Sequence, residues 1–104
     1  MEEIVKIFNK NYGLFKKAIE KWGNKLQLDM VIEELAELIV AINHYKREVN
    51  VNNKLKIAEE TADVLIMIEQ LIFILDINNV VKSYINSKLD RLEERLEKKL
   101  VDEK

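Results

Sequence analysis

Cysteine and proline are both absent from these 104 residues, and glycine occurs only at Gly13 and Gly23. Without cysteine there is no disulfide framework and no thiolate metal site. Strand signals are missing, while Leu, Ile, Glu and Lys dominate, a composition that specifies an all-helical protein. Histidine appears once, as His44. The formal net charge is only -2, so no broad basic face is announced and nucleic-acid binding is not expected. Met1-Glu2-Glu3 is acidic and carries no apolar signal core, so a cytoplasmic location is expected. The most apolar stretch, Val64 to Leu75, is interrupted by Glu69 and Gln70. It covers about 12 residues where a membrane span needs about 20, so no membrane segment is expected. A helix apolar nearly all round is instead read as buried on several sides.

What the chain does hold is 35% charged and 48% hydrophobic residues, which excludes disorder and fits one domain over residues 1–104. Apolar residues at three- and four-residue spacing mark a first helix from Glu2 to Trp22, with Asn11-Tyr12-Gly13 placed to break or kink it. Gly23-Asn24 ends it. A second helix is expected over Lys25 to Arg47, and Val49 to Asn53 reads as a loop, with Asn53 the N-cap of a third helix. The third helix is expected to reach Ile77, Asn79 to cap a fourth over Val80 to Leu100, and residues 98–104 to fray. Short loops make successive helices antiparallel neighbours, giving an antiparallel bundle of four helices, or five if the first is broken.

Four acids stand out from this background. Glu34 and Glu37 lie in Glu33-Glu34-Leu35-Ala36-Glu37-Leu38, and Glu60 and Asp63 lie in Glu59-Glu60-Thr61-Ala62-Asp63-Val64-Leu65. Each pair is spaced i, i+3, on one helical face. The turn near Asn50 brings the two helices side by side, so Glu34 should oppose Asp63 and Glu37 should oppose Glu60. Aspartate is a weak residue for a helix interior, and Asp63 needs a reason beyond solubility. Four carboxylates gathered in one small volume call for a cation. Oxygen-only ligands suit Mg2+, Mn2+ or Ca2+. No Glu-x-x-His pair exists for a di-iron bundle site, and His44 reads as a surface residue. Glu33 and Glu59 lack matched partners and read as exposed. Magnesium often bridges to substrate phosphates, which points to phosphate-ester or phosphoanhydride chemistry.

Glu34-x-x-Glu37 and Glu60-x-x-Asp63, followed by Val64-Leu65, with residues 38–59 between the pairs, resemble the signature segments of the MazG-like all-α nucleotide pyrophosphohydrolases. Dimeric dUTPases, dCTP pyrophosphatases and phosphoribosyl-ATP pyrophosphohydrolases share that superfamily. The resemblance covers about Trp22 to Arg95. It implies hydrolysis of a nucleoside triphosphate to the monophosphate and pyrophosphate, with Glu34, Glu37, Glu60 and Asp63 binding Mg2+ or Mn2+. Glu37 or Glu33 would orient the attacking water or take its proton. Relatives carry a Lys-x-x-x-Asn-x-x-Arg pattern on the last helix. Lys88 and Arg95 fit its ends, Leu92 replaces the asparagine, and Arg91 stands one residue earlier. These cations would bind phosphate, or they pair at the surface with Asp90, Glu93 and Glu94. Trp22 and Gln27 stand where relatives contact the base, although Trp22 also suits a core.

The apolar circumference of the third helix exceeds what the first and fourth can cover, so a homodimer is expected. The resemblance implies a dimer or tetramer whose core is shared between subunits. The competing functional reading is a non-catalytic helical interaction or regulatory module, antitoxin-like or an inactive relative.

Overall fold

The computed structural model describes the backbone of residues 1–102 and the side chains of residues 1–98. All of its regular structure is α-helical: α1 Glu2–Lys10, α2 Tyr12–Trp22, α3 Asn24–Arg47, α4 Val51–Leu75 and α5 Asn78–Asp102. The expected break in the first helix falls at Asn11. Its side-chain amide donates to the Ile7 carbonyl at 2.8 Å, and its backbone N–H is shared between Ile7 and Phe8. Gly23 alone separates α2 from α3. Its φ of 84° and ψ of 157° lie in a region essentially reserved for glycine, so this residue sets the sharp turn that folds α2 back against α3.

Two helix starts differ from expectation. Asn50, not Asn53, caps α4: its side-chain oxygen accepts the Asn53 N–H at 2.8 Å, three residues into the helix. The Asn53 amide instead donates to the Glu48 carbonyl at 2.8 Å and clamps the turn. Asn79 does not cap α5, because Asn78 is already helical and the Val81 N–H bonds the Ile77 carbonyl. The end of α4 explains the early start. Asp76 adopts the left-handed conformation at φ 52° and ψ 49°. Its N–H bonds the Phe73 carbonyl while the Ile77 N–H bonds Ile72, the paired closure of a Schellman motif. The last residues of the expected frayed tail, 103 and 104, lie outside the described residues.

The α3/α4 hairpin is the spine of the molecule, with α2 packed against both helices and α1 against α2. Phe8 meets Phe15 edge-on at 5.8 Å between ring centroids, and Tyr12 meets Phe73 at 5.5 Å. The core is thin: Phe15, Ile19, Val31, Ala41, Val64 and Met67 are its buried apolar residues. The expected antiparallel bundle is not closed within one chain. The chain turns through 119° between α4 and α5, and every described residue of α5 from Lys82 onward is exposed. The radius of gyration is 17.3 Å, against about 13 Å for a compact domain of this length. The chain exposes 8741 Å², where a compact monomer of its mass exposes about 6,100 Å². No single helix among the described residues is long and apolar enough to cross a membrane.

Candidate metal centre

On α3 Gln27, Val31, Glu34, Leu38 and Ala41 are among the buried or half-buried residues, and on α4 so are Ile57, Glu60, Val64, Met67 and Gln70. These positions recur every three or four residues, the spacing of a packed helical face. Glu34 and Glu60 therefore occupy places on the packing stripes where an apolar residue would normally sit. Glu37, one turn beyond Glu34, is exposed as a residue, but its carboxyl group reaches the same place. One carboxylate oxygen from each of Glu34, Glu37 and Glu60 lies within 4.8 Å of the others.

Two oxygens in this cluster are buried without a hydrogen-bond partner: Oε2 of Glu34 and Oε2 of Glu60. Glu60 is only 4% exposed. Leaving a buried charged oxygen unpaired is costly, so such atoms are rare in folded proteins. The other Glu60 oxygen, Oε1, is met by Lys56 Nζ at 3.0 Å, from one turn earlier on α4. Lys56 also approaches Glu59 Oε1 at 3.7 Å. Asp63 is half-buried and stands outside the three-oxygen cluster, but its charge is felt at Glu34. A cleft of about 450 Å³ borders the cluster at Glu37 and Glu60, and Glu33, His44 and Lys56 also line it.

Crowding perturbs the acids in a consistent direction. Burial is the first cause that holds the Glu34 carboxyl above its ordinary range, followed by the charges of Glu37, Asp63 and Glu60. Glu37 is also raised, by loss of hydration first and then by the charge of Glu60 and a hydrogen bond to it. Lys56 is raised, chiefly by its hydrogen bond to Glu60. A carboxyl with a raised folded-state value favours folding while protonated, and that contribution is lost as pH rises through the raised value. The metal-free protein is therefore expected to melt at a higher temperature at about pH 5 than at about pH 7.5, with the gain complete only below the ordinary carboxylate value. If these oxygens hold Mg2+, saturating Mg2+ raises the melting temperature at about pH 7.5 and does little at about pH 5, because protons compete for the same oxygens. Scanning calorimetry at both pH values, with and without Mg2+, measures this. A metal-free melting temperature that falls between the higher and the lower pH contradicts the clustering.

The other sequence-derived candidates scatter. Gln27 is buried, and its amide donates to Gln70 Oε1 at 2.6 Å, while the Gln70 amide faces Met67 Sδ at 3.8 Å. Trp22 is 51% exposed, not a core residue, with Lys21 Nζ 5.4 Å from its ring centroid. Trp22, Gln27, Met30, Met67 and Gln70 surround a second cleft of about 370 Å³. Gln27 precedes Glu34 by two turns, about 10 Å along α3, so both clefts lie on the α3/α4 spine. Lys88, Arg91 and Arg95 are exposed on α5 and line neither cleft. Among the described residues they form no ion pair, so the expected partners Asp90, Glu93 and Glu94 do not hold them. Lys56 and Gln70 were not singled out from the sequence. Lys56 stands at i-4 from Glu60, a spacing that signals an ion pair, and Gln70 is one of two polar residues in the most apolar run.

Compared with family models, curated proteins and solved structures, the chain matches none.

Proposed function

We propose that this chain is a MazG-like nucleoside triphosphate pyrophosphohydrolase that uses Mg2+, or Mn2+ in its place, to release the monophosphate and pyrophosphate. The observation that carries the reading is the convergence of Glu34, Glu37 and Glu60 with two buried, unpartnered oxygens. An all-oxygen donor set of this charge fits a hard divalent cation. Glu34, Glu37 and Glu60 would hold it, with Asp63 adding negative charge from α4. Bound there, such a cation neutralises phosphate charge and acidifies water. The exposed carboxylates of Glu33 and Glu37 border the cleft, where either can accept the proton of an attacking water. The cleft around Trp22, Gln27 and Gln70 lies farther along the same spine and offers an aromatic face and amide groups for a base.

The same reading includes a homodimer, or a tetramer built from one, working in the cytoplasm without membrane or nucleic acid. Excess exposed area supports it, as do the bare apolar stripes Ile32, Leu35, Ile39 and Ile42 on α3 and Ile85, Leu89, Leu92 and Leu96 on α5. Exposed apolar surface on this scale marks an interaction site. A second chain would also supply a route for Lys88, Arg91 and Arg95 to reach phosphate, which they lack within one chain.

The exposed α5 equally favours the rival reading, a regulatory or interaction module without catalysis. A panel of standard and modified nucleoside triphosphates with Mg2+, assayed for pyrophosphate, separates the two. At least one member is expected to release pyrophosphate and monophosphate in equal amounts. No release from any nucleotide rejects the enzyme in favour of the module.

A further inference from the structure

We propose that Lys56 is a resident cation of the carboxylate cleft. It supplies Glu60 with the countercharge that a divalent ion supplies once bound, and it is then freed to meet the phosphates of the nucleotide. The inference rests on the metal-dependent reading above and concerns how the site survives empty and loads.

Glu60 is almost wholly buried, and a carboxylate so placed needs a countercharge. Lys56 Nζ, 3.0 Å from Oε1, is the cation paired with it among the described residues. That pairing satisfies one oxygen and leaves Oε2 without a partner. The ammonium therefore reaches the site without filling it. The lysine is also placed to leave. Its side chain is 55% exposed, and Glu59, 68% exposed, already lies 3.7 Å from Nζ. When Glu60 is taken by a metal, Lys56 swings towards Glu59 and the open cleft with no buried stem to extract. Its ammonium stays on the rim of that cleft, beside Glu33, Glu37 and His44. There it is a point charge suited to a polyanion. A merely structural ion pair predicts something different: its loss would destabilise the fold equally with and without metal.

The test titrates the full-length protein with Mn2+ alone, by calorimetry, in wild type and Lys56→Met. Competition predicts that Lys56→Met binds Mn2+ about tenfold more tightly. It also predicts a lower melting temperature for the metal-free variant, with that deficit abolished by saturating Mn2+. Lys56→Arg, which keeps the charge, is expected to keep wild-type Mn2+ affinity, and Lys56→Gln serves as a second neutral variant if Lys56→Met folds poorly. With Mn2+ saturating, inorganic tripolyphosphate should bind Lys56→Met more weakly than wild type. Equal Mn2+ affinity in wild type and the neutral variants overturns the inference and leaves the carboxylate site standing. So does a melting deficit that persists in Mn2+, or unchanged tripolyphosphate affinity. No Mn2+ binding by any of the proteins overturns the metal reading itself, and this inference with it.

Discussion

Glu60→Gln is expected to lower the proposed Mg2+-dependent nucleotide hydrolysis by about 10²–10³-fold, the scale seen when one preorganised charge-stabilising group is removed, while the metal-free variant melts higher than wild type. Both effects have one cause. Glu60 is buried beside Glu34 and Glu37, and one of its oxygens has no partner. Glutamine has nearly the same shape, removes the charge, and adds two donors that neighbouring carboxylates can accept. Burial still raises Glu37, but the added repulsion from Glu60 is relieved. Lost along with the charge is the pairing with Lys56, but that lysine is more than half exposed, so the loss is small. A site that costs stability when empty and works when filled is the expected trade between function and folding. Steady-state kinetics and thermal melting on one preparation measure both. Wild-type activity in Glu60→Gln would falsify the assignment of this residue.

The double substitution Leu89→Asp, Leu92→Asp is expected to split the proposed dimer and lower the melting temperature sharply. Within one chain these leucines are 55% and 51% exposed on a helix that touches little else. If the chain works alone, replacing them should change stability by no more than about 0.5 kcal/mol each, as at ordinary surface sites. If a second copy covers α5, each leucine contributes about 1.5–3 kcal/mol of burial, and two aspartates would be pushed into an apolar seam. The spacing of Ile85, Leu89, Leu92 and Leu96, in steps of four, three and four, is that of a helix-pairing seam. Sedimentation velocity and melting at several concentrations distinguish the cases. A wild-type monomer whose melting is independent of concentration and untouched by the substitutions removes the dimer.

Much of the helical plan could be read from the sequence because it depends on local chemistry. Gly23 stops a helix by supplying a φ that other residues avoid, and Asn11 interrupts one by competing for the Ile7 carbonyl. The meeting of Glu34, Glu37 and Glu60 was also legible, since i, i+3 spacing and the position of one turn fix which residues of a hairpin face each other. Other features turned on choices that composition does not decide. Several asparagines cluster near the start of α4, and Asn50 is the cap because its side chain sits three residues before the N–H that needs an acceptor. The course of α5 depends on a left-handed aspartate, Asp76, a conformation glycine usually signals. After that residue the chain turns through 119° and α5 leaves the hairpin. Asp63 is not one of the three clustered acids, although its charge acts on Glu34. Lys56 was masked by its ordinary appearance close to Lys54, Glu59 and Glu60 in a charged stretch.

The most direct measurement is the calorimetric titration of the wild-type chain with Mn2+ alone at about pH 7.5, where metal competes least with protons, repeated on Glu60→Gln. The expected result is saturable binding to the wild type and its loss in the variant. Absence of saturable binding to the wild type, or equal binding by both proteins, contradicts it.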